Sequence, residues 1–96
     1  MFSVSLEKSA QKDFRKLEKP LKNKVLDSLK TISGDPSSGE PLKDGLSVYR
    51  SYHFSSQGKQ YRIAYVVYSE PNAVVVIMIG PRENFYDKLK RRVSTR

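Results

Sequence analysis

Phe2–Leu6 alternates apolar with small polar side chains, Phe2, Val4 and Leu6 against Ser3 and Ser5, which is the two-residue period of a short strand. The period then changes. Across Glu7–Lys19, Ala10, Phe14 and Leu17 recur at helical spacing, with Lys8, Lys12, Arg15 and Lys16 on the remaining surface. Pro20 ends that helix and suits the opening of the next, where its fixed φ and missing N–H are tolerated. Leu21, Val25, Leu29 and Ile32 form the stripe of a second helix, and Gly34 followed by Asp35-Pro36 stops it. Two antiparallel helices joined at Pro20 therefore show one apolar side to a sheet.

Asp35–Ser47 is rich in Pro, Gly and Ser and reads as a long loop, tied to the domain by Leu42 and Leu46. Val48–Phe54, a turn over Ser55–Gly58, Tyr61–Tyr68, a second turn at Glu70-Pro71-Asn72 and Ala73–Ile79 predict a three-stranded meander. The Val-rich third run has no polar alternation, so it is expected inside the sheet with both faces covered. It stops at Gly80-Pro81, and a closing helix follows with Phe85 and Leu89 as its buried pair. Arg82 and Tyr86, four apart, are expected on one face at that helix's opening.

Parity sorts the polar strand residues. Arg50, Tyr52 and Phe54 share a face, opposite Tyr49, Ser51 and His53; Arg62, Ala64, Val66 and Tyr68 share a face, opposite Tyr61, Ile63, Tyr65 and Val67. One arrangement gathers Arg50, Tyr52 and Arg62 on the sheet face away from the two helices, with Arg82 and Tyr86 at its edge. That would be a basic, aromatic-lined surface suited to a phosphate diester.

Composition narrows the chemistry. The 96 residues, 11.0 kDa, are read as one domain, 1–96, with enough apolar residues for one core. A net charge of +8 and a pI near 9.8 favour a polyanionic partner, most simply nucleic acid, over a basic face neutralised by an acidic protein. Cysteine is absent and there is one histidine, so no disulfide, thiolate site or transition-metal centre is expected. No apolar run approaches the roughly 20 residues of a membrane span. The N-terminus has no basic region followed by an apolar stretch, so no signal peptide is expected, and a cytoplasmic location fits.

KSAQKDFRKLEKPLKNKV, then LKDGLSVYRSYHF, YRIAYVV and a Val-rich strand ending in IGPRENFYDKLKRR, resemble in order and spacing the RelE/ParE superfamily of bacterial and archaeal toxins. The resemblance covers nearly the whole chain. It implies an α+β fold: a short N-terminal strand and helical hairpin packed on a twisted, mainly antiparallel β-sheet, with a short C-terminal helix. RelE-like members are ribosome-dependent endoribonucleases that cleave mRNA without a cofactor or metal; ParE-like members poison DNA gyrase. Both are silenced by a co-encoded antitoxin, which here would be an acidic or amphipathic segment in a hetero-oligomer, covering the basic surface near the final helix.

In RelE-like members the ribose 2′-OH attacks the adjacent phosphate, leaving a 2′,3′-cyclic phosphate and a 5′-OH. Arginine suits the developing phosphorane because its planar fork binds two oxygens and stays charged. By the resemblance, Arg62 is the phosphate clamp, Arg82 stabilises charge or supports the leaving group, and Tyr86 orients, stacks or transfers a proton. Tyr52, Lys59, Lys88 and Arg91 are candidate substrate-binding residues. Arg50 and Tyr52 fall where well-known relatives carry two lysines, and Arg50, as a catalytic candidate, cannot serve as a tunable base. His53 has a suitable intrinsic pKa but opposite parity to Arg50, and Lys59 is another candidate, so the general base stays open.

Each residue also has a plain structural role available. Arg62 would pair with Glu40 or Asp44, Arg82 would open a helix against the dipole's preference for anions, and Tyr86 would pack beside Phe85 and Leu89. His53 would be a satisfied, partly buried imidazole, and Lys88, Lys90, Arg91 and Arg92 a general electrostatic surface. Three readings of the function follow: an mRNA interferase, a ParE-like gyrase inhibitor, or an inactive module that only binds its antitoxin.

Overall fold

The computed structural model describes residues 1–94. Its strands are β1 (Ser3–Leu6), β2 (Glu40–Pro41), β3 (Tyr49–Ser56), β4 (Lys59–Tyr68) and β5 (Ala73–Pro81). Its α-helices are α1 (Lys8–Arg15), α2 (Lys19–Gly34) and α3 (Phe85–Ser94), with a 3-10 turn at Pro36–Ser38. The strands form one sheet in the order β1-β5-β4-β3-β2, antiparallel except for β1 against β5. The fold is the α+β arrangement expected. Helix α1 ends at Arg15, earlier than Lys19, and Pro20 sits in the first turn of α2, where a missing N–H removes no helical bond.

Two apolar layers hold the sheet. On one face Ala10, Phe14, Leu17, Val25, Leu29 and Ile32 from the helical hairpin pack on Ile63, Tyr65, Val74 and Val76. On the other, Phe85 and Leu89 of α3 join Leu46, Ala64, Ile77 and Met78, with Leu42 against them. Strand β5 is thus paired on both edges and covered on both faces, which its unbroken apolar run anticipates. The 35–47 loop is anchored by Leu42 and Leu46 as expected, though part of it adds the short edge strand β2.

The β4–β5 register slips by one between Ala64 and Tyr65, leaving Ile77 as an extra residue on β5. Ile77 and Met78 consequently both point into the α3 layer. A carboxylate closes this irregularity: Asp13 accepts the Ile79 N–H at 3.0 Å and two bonds from the Arg92 guanidinium, which also donates to the Ile77 carbonyl. The bulge, α1 and α3 are locked together there, and α3 is set over the sheet end that carries the charged residues.

Candidate functional site

The β3–β4 turn sets the geometry of the site. Gln57 and Gly58 have φ of +52° and +80°, the two-residue hairpin turn whose twist matches the strands. Ser56 then pairs with Lys59, and the ladder runs inward through Phe54 with Tyr61 to His53 with Arg62. Directly opposed residues project from the same face. Arg62 and Ala64 lie on the face covered by α3, so His53 and Ser51 lie there too.

Tyr86 reaches Arg62 from α3. An NH1 hydrogen of Arg62 is donated to the Tyr86 hydroxyl, and the guanidinium carbon sits 4.8 Å from the ring centroid. The phenol ring is itself braced edge-on by the buried Phe85, 5.7 Å away at 90°. A guanidinium has five N–H donors, so the bond to Tyr86 leaves several for a ligand. Among the described residues Arg62 forms no ion pair, whereas a salt bridge joins Arg92 to Asp13 at 2.7 Å. The alternative pairing of Arg62 with Glu40 or Asp44 is therefore not adopted.

Arg82 is not on the closing helix. Asn84 takes a left-handed φ of +57°, which breaks the helical path, and α3 begins at Phe85. The helical spacing expected for Arg82 and Tyr86 is overturned, and the dipole argument goes with it, since the first turn of α3 carries the anion Asp87. The Arg82 N–H instead donates to Gln60 O at 3.0 Å, prolonging the β4–β5 ladder by one step. Arg82 and Lys59 line an open cleft of about 330 Å³ between the hairpin turn and Pro81–Glu83. They are basic groups at the same end of the sheet as Arg62, which pairs with Gly80.

The gathering of Arg50 and Tyr52 with Arg62 away from the helices is also overturned. Arg50 pairs with Tyr65 and Tyr52 with Ile63, both in the helical-hairpin layer, and Tyr52 packs into that core. Arg50 spends its donors on backbone, with Nε to Gly39 O at 2.8 Å and NH2 to Ser37 O at 3.3 Å. Neither residue faces Arg62. On α3, Lys88 and Arg91 are exposed, whereas Arg92 leaves the expected electrostatic surface because Asp13 holds it.

His53 takes the place expected for Arg50. It is exposed on its strand beside Arg62, and its pKa lies below the ordinary 6.5. Partial desolvation is the larger cause and the Arg62 guanidinium the next, while Glu40 on β2 pulls the other way. At neutral pH the imidazole is therefore uncharged and able to accept a proton. A guanidinium with spare donors, a phenol bonded to it and a neutral imidazole across the strand can together hold a phosphate diester and move protons around it. One signal in the chain points to His53. Read as a two-residue turn, Gln57-Gly58 places His53 and Arg62 at equal distances from its ends, hence on one face.

Residues 4–90 match the family model described as ParE-like toxin of type II bacterial toxin-antitoxin system. No curated protein sequence matches the chain. Among solved structures, the toxin-antitoxin complex RelBE2 of Mycobacterium tuberculosis contains a chain 25% identical to this one, with a TM-score of 0.71, covering 84% of this chain and 98% of that one. The isolated RelE toxin of E. coli is 23% identical over 97% of this chain and 99% of its own, with a TM-score of 0.69. A YoeB/ParE toxin from Agrobacterium tumefaciens is 19% identical, with 84% and 99% covered and a TM-score of 0.71. With the family model spanning nearly every element of the sheet and helices, the chain belongs to the RelE/ParE superfamily and is a toxin of a type II toxin-antitoxin system.

Proposed function

We propose that this toxin is a RelE-like, ribosome-dependent endoribonuclease that cleaves mRNA in the cytoplasm through its own side chains. The observation that carries the reading is Arg62, bonded to Tyr86, facing His53 and neutralised by no carboxylate among the described residues. A surface that only blocks a partner enzyme gives no chemical reason to assemble an acceptor, a donor and an anion clamp at one point.

In this reading the 2′-hydroxyl proton passes to His53 as the 2′-oxygen bonds to phosphorus. Arg62, with Arg82 and Lys59 from the hairpin end, stabilises the added negative charge of the phosphorane. The bond from phosphorus to the 5′-oxygen then breaks. Tyr86 accepts a hydrogen bond from Arg62, so its own O–H remains available to protonate that leaving oxygen. The products are a 2′,3′-cyclic phosphate and a 5′-hydroxyl, and solvent returns a proton from imidazolium to phenolate. Lys88 and Arg91 extend the positive surface toward RNA. The partner that silences the toxin is a cognate antitoxin, as in the toxin-antitoxin complexes that share this fold.

Primer extension on a translated message after induction tests the reading. Cuts within the translated region should appear and vanish when initiation on that message is blocked. Intact message accompanied by accumulating DNA breaks would replace it with inhibition of gyrase, the activity of ParE-like relatives.

A further inference from the structure

Gly39 sits between two side chains that come from the helical-hairpin face of the sheet. Its N–H donates to the Tyr65 hydroxyl at 2.9 Å, and its carbonyl accepts from Arg50 Nε at 2.8 Å. The same hydroxyl donates to Pro36 O at 2.6 Å, and the second arm of Arg50 reaches Ser37 O. Tyr65 is fully buried, and a Cβ on residue 39 would run into its ring and hydroxyl, so glycine is needed for close approach and not for its φ of −88°. Four polar bonds thus converge on a loop whose strand, β2, is only two residues long.

The next residue is Glu40. Its ladder partner is Ser51, which places it diagonally from His53 on the same face, within reach of a long side chain. From this geometry we infer that Arg50 and Tyr65 are positioning residues, a two-sided clamp on the Gly39 peptide that sets Glu40 beside His53, where the carboxylate orients the imidazole and stabilises the imidazolium formed when it takes a proton. The groups around His53 are Glu40 from β2, Arg62 from β4 and, bonded to Arg62, Tyr86 from α3; Lys90 of α3 borders the same cleft as Glu40 and Tyr86. Desolvation and, after it, Arg62 oppose the protonated imidazole, and Glu40 supports it. The clamp also accounts for an arginine at position 50: an ammonium cannot reach two carbonyls with one rigid fork.

The catalytic consequence rests on the endoribonuclease reading, but the clamp is tested without it. His53 is the single histidine of the chain, so its imidazole resonances can be titrated by NMR without assignment. Glu40→Gln should lower the titration midpoint by roughly 0.1–0.7 of a unit, the size of exposed charge couplings. Arg50→Ala and Tyr65→Phe should lower it in the same direction, and Arg50→Ala combined with Glu40→Gln should lower it no further than Glu40→Gln alone. Arg50→Lys should not restore the wild-type midpoint. Circular dichroism checks folding; if Arg50→Ala is unfolded, Tyr65→Phe, which preserves the ring, decides. A midpoint unmoved by Glu40→Gln overturns the pairing. Midpoints unmoved by folded Arg50→Ala or Tyr65→Phe overturn the clamp. In the cleavage assay, Arg50→Ala and Glu40→Gln should move the acid limb to lower pH and reduce the plateau roughly two- to fivefold. A wild-type protein that cuts no message defeats the nuclease reading and leaves the titration result standing.

Discussion

His53 and Arg62 are direct cross-strand partners on the sheet face beneath α3. In the proposed reaction that one relationship links the group that would clamp the phosphate to the group that would take the proton. Partial burial, and after it the guanidinium, disfavour a positive charge on the imidazole and hold its pKa below the ordinary value. Arg50, on the opposite face of the same strand, supplies neither function to the site.

Replacement of His53 by Gln should abolish cleavage in a folded protein. The wild-type rate should rise with pH along a limb whose midpoint lies below 6.5, because burial and Arg62 lower the imidazole pKa and the base acts only when deprotonated. A pH–rate profile of the wild type and His53→Gln checks both statements. An unchanged acid limb in His53→Gln would assign the proton acceptor elsewhere, with Lys59 the nearest named alternative.

Arg62→Ala, Arg82→Ala and Tyr86→Phe should each reduce cleavage on the order of 10²–10³-fold, as losing one transition-state donor does. Ribosome binding should persist, since Lys59, Lys88 and Arg91 remain. Single-turnover cleavage measured beside ribosome co-sedimentation separates the two effects. Tyr86→Phe is the sharpest of the three, because it keeps the ring beneath the guanidinium and removes only the hydroxyl.

Asp13→Ala should destabilise the fold by about 1–3 kcal/mol, since it strands the Ile79 N–H and removes the carboxylate that accepts two bonds from Arg92 in a part-buried site. Urea unfolding followed by circular dichroism measures this. Lys88→Ala, on an exposed position of the same helix α3, should stay within about 0.5 kcal/mol of wild type.

Affinity for ribosomes or RNA should fall steeply with salt, because Lys and Arg side chains that neutralise phosphates release condensed counterions. Filter binding or sedimentation across about a tenfold range of salt should give a straight, negative slope on logarithmic axes. Arg91→Ala and Lys88→Ala should each make that slope shallower, by about one unit for each phosphate that is no longer neutralised.

Several features follow from the sequence by local rules. Alternation in Phe2–Leu6, the Ala10–Phe14–Leu17 and Val25–Leu29–Ile32 spacings, and the unbroken Ala73–Ile79 run each specify an element and its buried side, because burial of apolar surface acts on the pattern directly. Phe85 and Leu89 are legible as the buried pair of α3 for the same reason. Charge and composition point to a polyanionic partner, and the ordered segments to the superfamily. Local rules do not carry information about which strand faces meet. The face on which Arg50 or His53 joins Arg62 depends on a ladder register set by a two-residue turn at Gln57-Gly58, whereas composition alone suggests a four-residue turn over Ser55–Gly58. Likewise a helical period continued back from Tyr86 to Arg82 gives no sign of Asn84 at φ +57°, because a single left-handed residue changes the chain's path without changing its hydrophobic pattern. Arg62 and Tyr86 are expected at one surface from the sequence, but the tertiary structure alone set Glu40 and His53 beside them to make a group of four. They come from three strands and a helix, and only packing on a shared sheet makes neighbours of residues so far apart in the chain.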